Sequence, residues 1–409
     1  MPKSASKNTL FIIFLTVFLD LIGFGIIIPI QPFFAEELGA SPSTVTLLGA
    51  SFSLMQFLFA AVWGRLSDRV GRRPVMLISI GITAIGYVWF GFARTLPALF
   101  AARMLAGFGS ANIGTAQAVI ADSTTHETRA KGMGLIGAAF GLGFIFGPAL
   151  GAFFGQYGLT VPAFVAAALS TLNWISAFFI LPETYPKEAR SQNAHVGGHG
   201  FSIKALKHAA RHPNVSSLFL IYLTYTVAFS MMEQSIGLFL ERRFVTAELP
   251  DIRAKQAAAL TGYYLIAVGV TATIVQGGLI GRLAKLFGER KLLATGTAFI
   301  GISLSLTPFF AGFEIFKIMF IPAVWTALGA GLTNPSLSSL LSRAVDRDEQ
   351  GGTLGLGQSL AALGRVIGPA CAGVLFERTI GLPFWLGGVL MAVCVTIALS
   401  LRGPSLTQS

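Results

Sequence analysis

Four charged residues lie within long apolar stretches of the sequence, where charge is rare. Asp20 and Glu233 are the two carboxylates placed deep in such stretches, and Arg103 and Arg365 are the basic residues found there. An ionised side chain at the centre of a bilayer costs about 2.5 to 3.5 kcal/mol on insertion scales, so such residues are usually functional. A carboxyl group there can take up and release a proton, whereas arginine stays charged. The four residues predict a proton-coupling site, with structural pairing between helices as the alternative.

The composition of the whole chain explains why these charges matter. Of 409 residues, 54% are hydrophobic and only 11% are charged, and the mean hydropathy is +0.71. Soluble domains carry about 25% charged residues, so this chain is predicted to be an integral membrane protein. The net charge of +11 comes from basic residues in short loops between apolar runs, not from one basic face. Nucleic acid is therefore not expected as a partner, and the lipid bilayer is.

The apolar stretches divide the chain into membrane spans and loops. Crossing the hydrocarbon core takes roughly 20 residues of helix, and twelve stretches are that long. The predicted spans cover 9–34, 44–63, 74–93, 96–120, 132–156, 160–182, 214–240, 257–281, 290–311, 314–341, 351–376 and 382–402. Lys and Arg are concentrated in the loops on the N-terminal side of the membrane. The positive-inside rule then predicts a multi-pass protein of the cell membrane with both termini in the cytoplasm.

Two segments recur at an offset of about half the chain. GRLSDRVGRR at 64–73 is similar to GRLAKLFGER at 281–290, and IFGPALG at 145–151 is similar to VIGPACA at 366–372. The offset predicts that the chain consists of two six-span repeats with parallel orientation in the membrane. We expect an N-terminal tail (1–8), a first six-helix bundle (9–182), a cytoplasmic linker (183–213), a second six-helix bundle (214–402) and a C-terminal tail (403–409). The predicted fold class is an all-α integral membrane protein with two pseudo-symmetric bundles.

The linker contains few features that could do chemistry. Residues 201–212 could form a short helix on anionic headgroups, or the segment could be a solvated connection. His195 and His199 flank two glycines, which disfavours a fixed metal geometry, so no metal site is predicted. All five histidines fall in cytoplasmic segments, which leaves carboxylates to carry protons across the membrane.

Four motifs resemble those of the major facilitator superfamily, and the similarity covers nearly the whole chain. They are the 64–73 loop; ARMLAGFG with Arg103; GLGFIFGPALG at 141–151; and FLDLIGFGIIIPIQP, which contains Asp20. The last resembles the first span of the proton-coupled drug exporters that include the tetracycline/proton antiporters. Those exporters carry further carboxylates in spans 3 and 9. The corresponding positions in this chain fall near Gly86 and near Ile300 or Gly301, where it has no carboxylate. The departure favours a broader drug/proton antiporter over an exporter of metal-chelated tetracycline.

The resemblance also assigns roles to individual residues. It implies a cytoplasmic gate in which Asp68, Arg72 and Asp122 form a charge relay; sequence alone indicates only a solvated loop there. The full set of predicted gate residues is Gly64, Asp68, Arg69, Gly71, Arg72, Arg73 and Asp122. The antiporter motif is represented by Gly143, Gly147, Pro148 and Gly151. Because Lys285 stands where the first repeat has Asp68, the relay is expected to be asymmetric.

The first spans of the two halves are expected to line the central cavity of this fold. Helical periodicity places Phe24, Ile27 and Gln31 on the face of Asp20. It places Tyr222, Phe229 and, less closely, Tyr225 on the face of Glu233. Gln358 shares a face with Arg365, for which a structural capping role is an equal alternative. An aromatic lining with few polar anchors suits a lipophilic or amphiphilic substrate, with ordinary helix packing as the alternative for the aromatic residues.

The leading functional prediction is a monomeric exporter of a small molecule in exchange for protons, working by alternating access. A Walker loop is absent from the sequence, so no nucleotide and no cofactor is expected. A metabolite or lipid exporter, or a symporter, is the alternative on the same fold. A channel or receptor is less favoured because four scattered charges do not form a selectivity ring. An enzyme is disfavoured because the spans contain no histidine.

Overall fold

In the computed structural model the chain folds into α-helices. The structure describes residues 7–124, 129–185, 212, 214–310, 312, 315–345 and 350–401, without the side chains of 7–10, 129–138, 140, 144 and 351. The amphipathic segment predicted at 201–212 lies outside these residues except for His212. His195, His199, residues 1–6 of the predicted N-terminal tail and the predicted C-terminal tail also lie outside them.

Fifteen α-helices follow one another in the described residues. They are α1 (Lys7–Ile27), α2 (Gln31–Glu37), α3 (Pro42–Val70), α4 (Arg72–Phe92), α5 (Leu96–Gly109), α6 (Ile113–Ser123), α7 (Arg129–Gly155), α8 (Val161–Ile180), α9 (Val215–Phe244), α10 (Pro250–Ile274), α11 (Ile280–Phe287), α12 (Glu289–Phe310), α13 (Phe320–Arg343), α14 (Gln350–Arg378) and α15 (Leu382–Ser400). A π-helical segment, Val275–Leu279, joins α10 to α11, and a 3₁₀ turn, Phe316–Met319, precedes α13. Helices occupy all twelve predicted spans, and the predicted fold class is confirmed.

Two of the predicted spans are broken. In the first, α1 and α2 meet at 43° across residues 28–30, where Pro29 cannot donate a backbone hydrogen bond. In the fourth, α5 ends at Gly109 and α6 begins at Ile113. The Asn112 side chain donates to Ser79 Oγ at 2.9 Å, which ties this break to α4. Within the described residues, nine helices are long and apolar enough to cross a membrane, or ten with α1 and α2 counted as one.

The turns that separate α3 from α4 and α11 from α12 are equivalent in the two repeats. Gly71 has a φ of 118° and Gly288 has a φ of 76°, a region that L side chains avoid. Their N–H groups bond to Ser67 O at 3.1 Å and to Ala284 O at 3.0 Å, respectively. Glycine at these positions therefore ends one helix and lets the next begin at once.

The chain divides into two compact units. The first consists of residues 1–200 and 240–266, and the second of residues 201–239 and 267–409, in each case as far as the structure describes them. The ends of α9 and α10 that meet at residues 240–266 thus belong to the first unit. The predicted bundle boundary at the 183–213 linker stays a prediction.

Glycines bring α1 and α7 into backbone contact within the first unit. A Cβ atom added at Gly147 would lie 2.6 Å from Gly25 Cα, and one added at Gly151 would collide with Ile26 O. The same device recurs in the second unit, where a Cβ at Gly364 would lie 2.9 Å from Thr226 Cβ on α9. Small residues at such crossings are typical of membrane helices that pack closely.

The α1–α7 contact leads to a stability prediction. Gly147→Ala is expected to lower the free energy of unfolding by about 1 to 3 kcal/mol, because the new methyl group forces two backbones apart. Gly355→Ala is the matched control, since a Cβ there meets nothing within 4 Å. Thermal unfolding of both purified variants in one detergent checks the prediction. Equal melting temperatures for the two variants would contradict the close contact.

Candidate functional site

Asp20 lies in the first unit beside a buried tyrosine. The Asp20 residue is half-buried, and its Oδ1 atom is inaccessible and without a hydrogen-bond partner among the described residues. Tyr87 on α4 is fully buried and is within Coulombic range of both Asp20 and Arg103. The ring of Tyr87 packs 3.1 Å from a Cβ built on Gly23, one turn from Asp20. Three helices therefore bring the acid, the phenol and the guanidinium of Arg103 together.

Arg103 is held by an aromatic face as well as by charge. It is only 3% exposed, and its guanidinium carbon lies 4.3 Å from the centroid of the Phe52 ring. Its Nε and Nη1 atoms have no hydrogen-bond partner among the described residues. Phe24 continues the aromatic contact, with its ring centroid 5.1 Å from that of Phe52. The ring face attracts the buried cation, and Tyr87 lies within Coulombic range of both Arg103 and Asp20.

The predicted cavity residues of α1 and α2 differ in their surroundings. Phe24 is half-buried, whereas Ile27 and Gln31 are buried in the first unit. Helical periodicity places the three on one face, but the break at residues 28–30 and the close approach of α7 change what that face meets. The assignment of Ile27 and Gln31 to a substrate cavity stays a prediction.

The second unit contains its own acid and arginine. Glu233 on α9 and Arg365 on α14 attract each other, and Tyr225 is within Coulombic range of both. The rings of Tyr225 and Phe229 lie 5.9 Å apart. This arrangement gives Arg365 the electrostatic partner that the sequence alone left open. Each unit thus has one intramembrane acid and one intramembrane arginine.

Two polar residues of α13 join this second cluster and were missed by the sequence analysis. Asn334 Nδ2 donates to Tyr225 Oη at 3.0 Å, and Ser338 Oγ lies 2.8 Å from Tyr222 Oη. Asn334 is exposed in the middle of an apolar helix, as is Gln358 on α14. An exposed amide at this depth is costly against lipid, so we expect these two side chains to face polar groups or water. The adjacent letters NP in the sequence were the available signal, since Pro335 frees a backbone position within the span.

Arg72 is the centre of the predicted charge relay. Its Nη1 lies 2.5 Å from Asp68 Oδ1, and its Nε lies 3.0 Å from Asp122 Oδ2. Its backbone N–H donates to Glu183 Oε1 at 3.0 Å, and its guanidinium lies 4.9 Å from the centroid of Tyr185. Four acidic or aromatic side chains thus converge on one arginine where α3, α4, α6 and the end of α8 meet.

Asp122 lies just beyond the predicted fourth span, at the end of α6. Burial raises the pKa of its carboxyl, while its hydrogen bond and charge pairing with Arg72 oppose that shift. The proton and the arginine therefore compete for Asp122. Gly64 has open space around it, and Arg69 is exposed.

Comparison with known proteins identifies the family. The family model described as Major Facilitator Superfamily matches residues 13–283 and 251–408. The chain belongs to the Major Facilitator Superfamily. Members of this superfamily are transporters, and the multi-pass helices of the chain agree with that class.

Individual relatives in the superfamily match almost end to end. Multidrug resistance protein 2 of Bacillus subtilis (strain 168) is 30% identical over 401 residues, which cover 96% of this chain and 95% of that protein. Tetracycline resistance protein, class C, of Escherichia coli is 31% identical over 398 residues, with 95% and 96% coverage. The human organic anion transporter MFSD10 (TETRAN) shares the fold, with a TM-score of 0.70, 23% identity and coverage of 96% and 99%. The resemblance to the tetracycline exporters is confirmed.

The superfamily loop is repeated in the second unit with its charges reversed. Glu289 occupies the position of Arg72 in the repeat, and it accepts a hydrogen bond from Ser339 Oγ at 2.6 Å and pairs with Arg343 at 3.2 Å. Lys285, in the place of Asp68, is exposed and forms no ion pair within the described ranges. The expected asymmetry therefore includes an exchange of acid and base between the start of α12 and the end of α13.

The last arginine of each superfamily loop caps a helix. Arg73 Nη2 donates to Phe178 O at 2.5 Å, at the end of α8. Arg290 donates to Ala398 O at 3.3 Å and also to Leu399 O, at the end of α15. A cation at a helix C-terminus satisfies free carbonyl groups and the helix dipole. Arg73 thus contacts α8 and is not part of the Arg72 ion-pair set.

Two further ion pairs connect the ends of α2, α9 and α10 within the first unit. Arg242 lies 2.8 Å from Glu36, and Arg253 lies 2.6 Å from Glu241. Glu241 is only 4% exposed. The sequence analysis placed Glu241 in a loop because it ended the seventh span at residue 240, whereas α9 continues to Phe244.

The two loop clusters are expected to differ in strength. Arg72→Ala should lower the free energy of unfolding by about 1 to 3 kcal/mol, because it removes charge-assisted hydrogen bonds from two carboxylates. Arg343→Ala should cost about 0 to 1 kcal/mol, as is usual for exposed pairs, since its side chain is 74% exposed. Thermal unfolding checks both, with exposed Arg69→Ala as the control for loss of a cation. A similar loss in Arg69→Ala would contradict the special role of Arg72.

Proposed function

We propose that this protein is a proton-coupled secondary active transporter that exports lipophilic or amphiphilic drug-type molecules by alternating access. Two relatives that match over nearly the whole chain are named for multidrug and tetracycline resistance. Export by this chain would use the proton gradient as its driving force, with no cofactor. One unit of pH difference supplies about 1.4 kcal/mol per proton.

The observation that carries the proposal is that each unit places one acid and one arginine of its membrane helices close to a buried tyrosine. Glu233 attracts Arg365 directly, whereas Asp20 and Arg103 each lie within Coulombic range of the Tyr87 between them. Protonation of Asp20 removes its negative charge while Arg103 keeps its positive charge. The buried guanidinium of Arg103 is then stabilised by a different group, either on the substrate or on a helix that has moved. A proton can thereby bias a transporter between two states.

Glu233 has surroundings suited to the substrate. Tyr222, Tyr225 and Phe229 lie within three turns of it on α9, and aromatic faces attract organic cations. Asn334 adds a polar anchor through Tyr225. Together these groups support an amphiphilic, cationic substrate, which would compete with a proton for the same carboxylate.

Gly86, Ile300 and Gly301 lie near the positions where tetracycline exporters carry further carboxylates, and they are closely packed. A Cβ at Gly86 would lie 2.8 Å from the backbone nitrogen of Ala106, and one at Gly301 would lie 2.9 Å from Met391 Cβ. Ile300 is fully buried. Helix packing therefore disfavours a larger side chain at Gly86 or Gly301, which supports a drug exporter that does not depend on a metal chelate.

The setting of the proposed transporter follows from its loops. The basic loops are assigned to the cytoplasm, so both termini face the cytoplasm across the cell membrane. The Arg72 ion pairs then act as the cytoplasmic gate, opening and closing with the transport cycle. The protein acts as a monomer and a transporter, not as an enzyme.

Transport by purified protein in liposomes tests the proposal. We expect a fluorescent lipophilic cation to accumulate against its gradient when a pH difference of one unit is imposed, and labelled substrate to show counterflow without a gradient. Tetracycline, with and without Mg²⁺, tests the substrate class. Counterflow without any response to pH would contradict proton coupling, and flux without counterflow would indicate a channel.

A further inference from the structure

An apolar groove runs along the first unit between α4 and α8. It has a volume of about 630 Å³. Its lining includes Leu77, Ile78, Ile85, Trp174 and Phe178, with Gly81 as the floor. The hydroxyl of Thr171, the lining residue with a polar side-chain oxygen, is already bonded to Ala167 O at 2.8 Å. The groove therefore fits a hydrocarbon chain.

A cation lies at one end of this groove. Arg73 precedes the lining residue Pro74, and its guanidinium lies 5.7 Å from the centroid of the Phe178 ring. One of its terminal nitrogens caps α8, but its Nε is buried without a hydrogen-bond partner in the described part of the chain. A cation fixed at the end of an apolar groove is complementary to a molecule with an anionic group and a long chain.

The groove is open to the bilayer. Ile78, Ile85 and Phe178 are all exposed, although each is a large apolar side chain within or beside a membrane-spanning helix. Lipid is the solvent that contacts such a surface. We propose that the groove binds one acyl chain of an anionic phospholipid whose phosphate pairs with Arg73. The net negative charge of its headgroup distinguishes this lipid from the surrounding zwitterionic ones, which have the same hydrocarbon chains.

The second repeat supplies a control for the charge. Arg290 is the equivalent of Arg73, and it caps α15 in the same way. Arg290→Gln removes a cation and a helix cap from the second unit. Loss of lipid caused merely by reduced surface charge or a weakened cap would therefore appear in both variants, whereas loss of the proposed site would appear in Arg73→Gln alone.

Native mass spectrometry of the full-length protein in detergent tests the proposal with dioleoyl phosphatidylglycerol and dioleoyl phosphatidylcholine. We expect one phosphatidylglycerol to be retained in preference to phosphatidylcholine. Arg73→Gln should weaken its binding about fivefold, the factor expected for one arginine at an anionic surface. Gly81→Leu, which fills the floor, should also weaken it, and Arg290→Gln should not.

A fluorescence measurement locates the chain even if one variant folds poorly. Phosphatidylglycerol with brominated chains should quench Trp174, seen as a larger loss of emission in the parent than in Trp174→Phe. Equal retention of the two lipids, equal losses in Arg73→Gln and Arg290→Gln, or no quenching of Trp174 would each overturn the proposal.

Discussion

Asp20→Asn is expected to abolish uphill transport while leaving downhill exchange intact. Asparagine keeps the size and polarity of the side chain but cannot carry a proton. With one proton exchanged per substrate, a gradient of one pH unit should hold about a tenfold accumulation in the parent, and none in the variant. The measurement is the steady accumulation ratio of a fluorescent cation in proteoliposomes.

Counterflow in the same vesicles separates loss of coupling from loss of folding. Asp20→Asn should retain counterflow, because Tyr87 and Arg103 still form the interior of the first unit. Asp251→Asn is the control, since Asp251 pairs with Lys255 at 2.8 Å on the surface and has no place in the proposed coupling. Uphill transport at the parent level in Asp20→Asn would remove this residue from the coupling machinery.

The membrane spans could be predicted from hydropathy, but their breaks only in part. Pro29 and Pro32 are visible in the sequence where the first span bends. The break in the fourth span has only a weak signal in Gly109, Ser110 and Asn112, because Asn112 is fixed by Ser79 of another helix. Span ends fail for a similar reason: Glu241 continues α9 because Arg253 from the next helix neutralises it. A hydropathy profile depends on the types of the residues in one segment and does not include their contacts with residues of other helices.

The candidate site shows the same division. Asp20, Arg103, Glu233 and Arg365 could be found because a charge in an apolar stretch is conspicuous in any sequence. Tyr87 could not, since a tyrosine in a membrane helix is common and its place depends on how α1, α4 and α5 cross. The charge-reversed pair of Glu289 and Arg343 was half visible, in the change from Arg72 to Glu289 between the repeats. Arg343 lies 54 residues after Glu289 in the sequence, and only the folded structure shows that the two residues pair.

Glu233→Gln is expected to remove the pH dependence with which a cationic substrate binds. In the parent, the substrate and the proton compete for one carboxylate, so affinity should rise with pH. The limit is about tenfold per pH unit, for one proton displaced by one ligand. Glutamine accepts no proton, so the variant should bind the cationic substrate more weakly, with an affinity that hardly changes with pH. Arg365 would lose its attraction to Glu233 in the variant, which should weaken cation binding further.

Equilibrium binding of one identified cationic substrate between pH 6 and 8 measures this effect. Asp251→Asn is the control, because it removes an exposed carboxylate that is already paired with Lys255 at 2.8 Å. Its pH slope should equal that of the parent. A neutral substrate of similar shape should bind without a slope in all three proteins, because only a cation competes with the proton. Identical slopes in the parent and Glu233→Gln would make Glu233 a structural partner of Arg365 and leave Asp20 as the sole coupling acid.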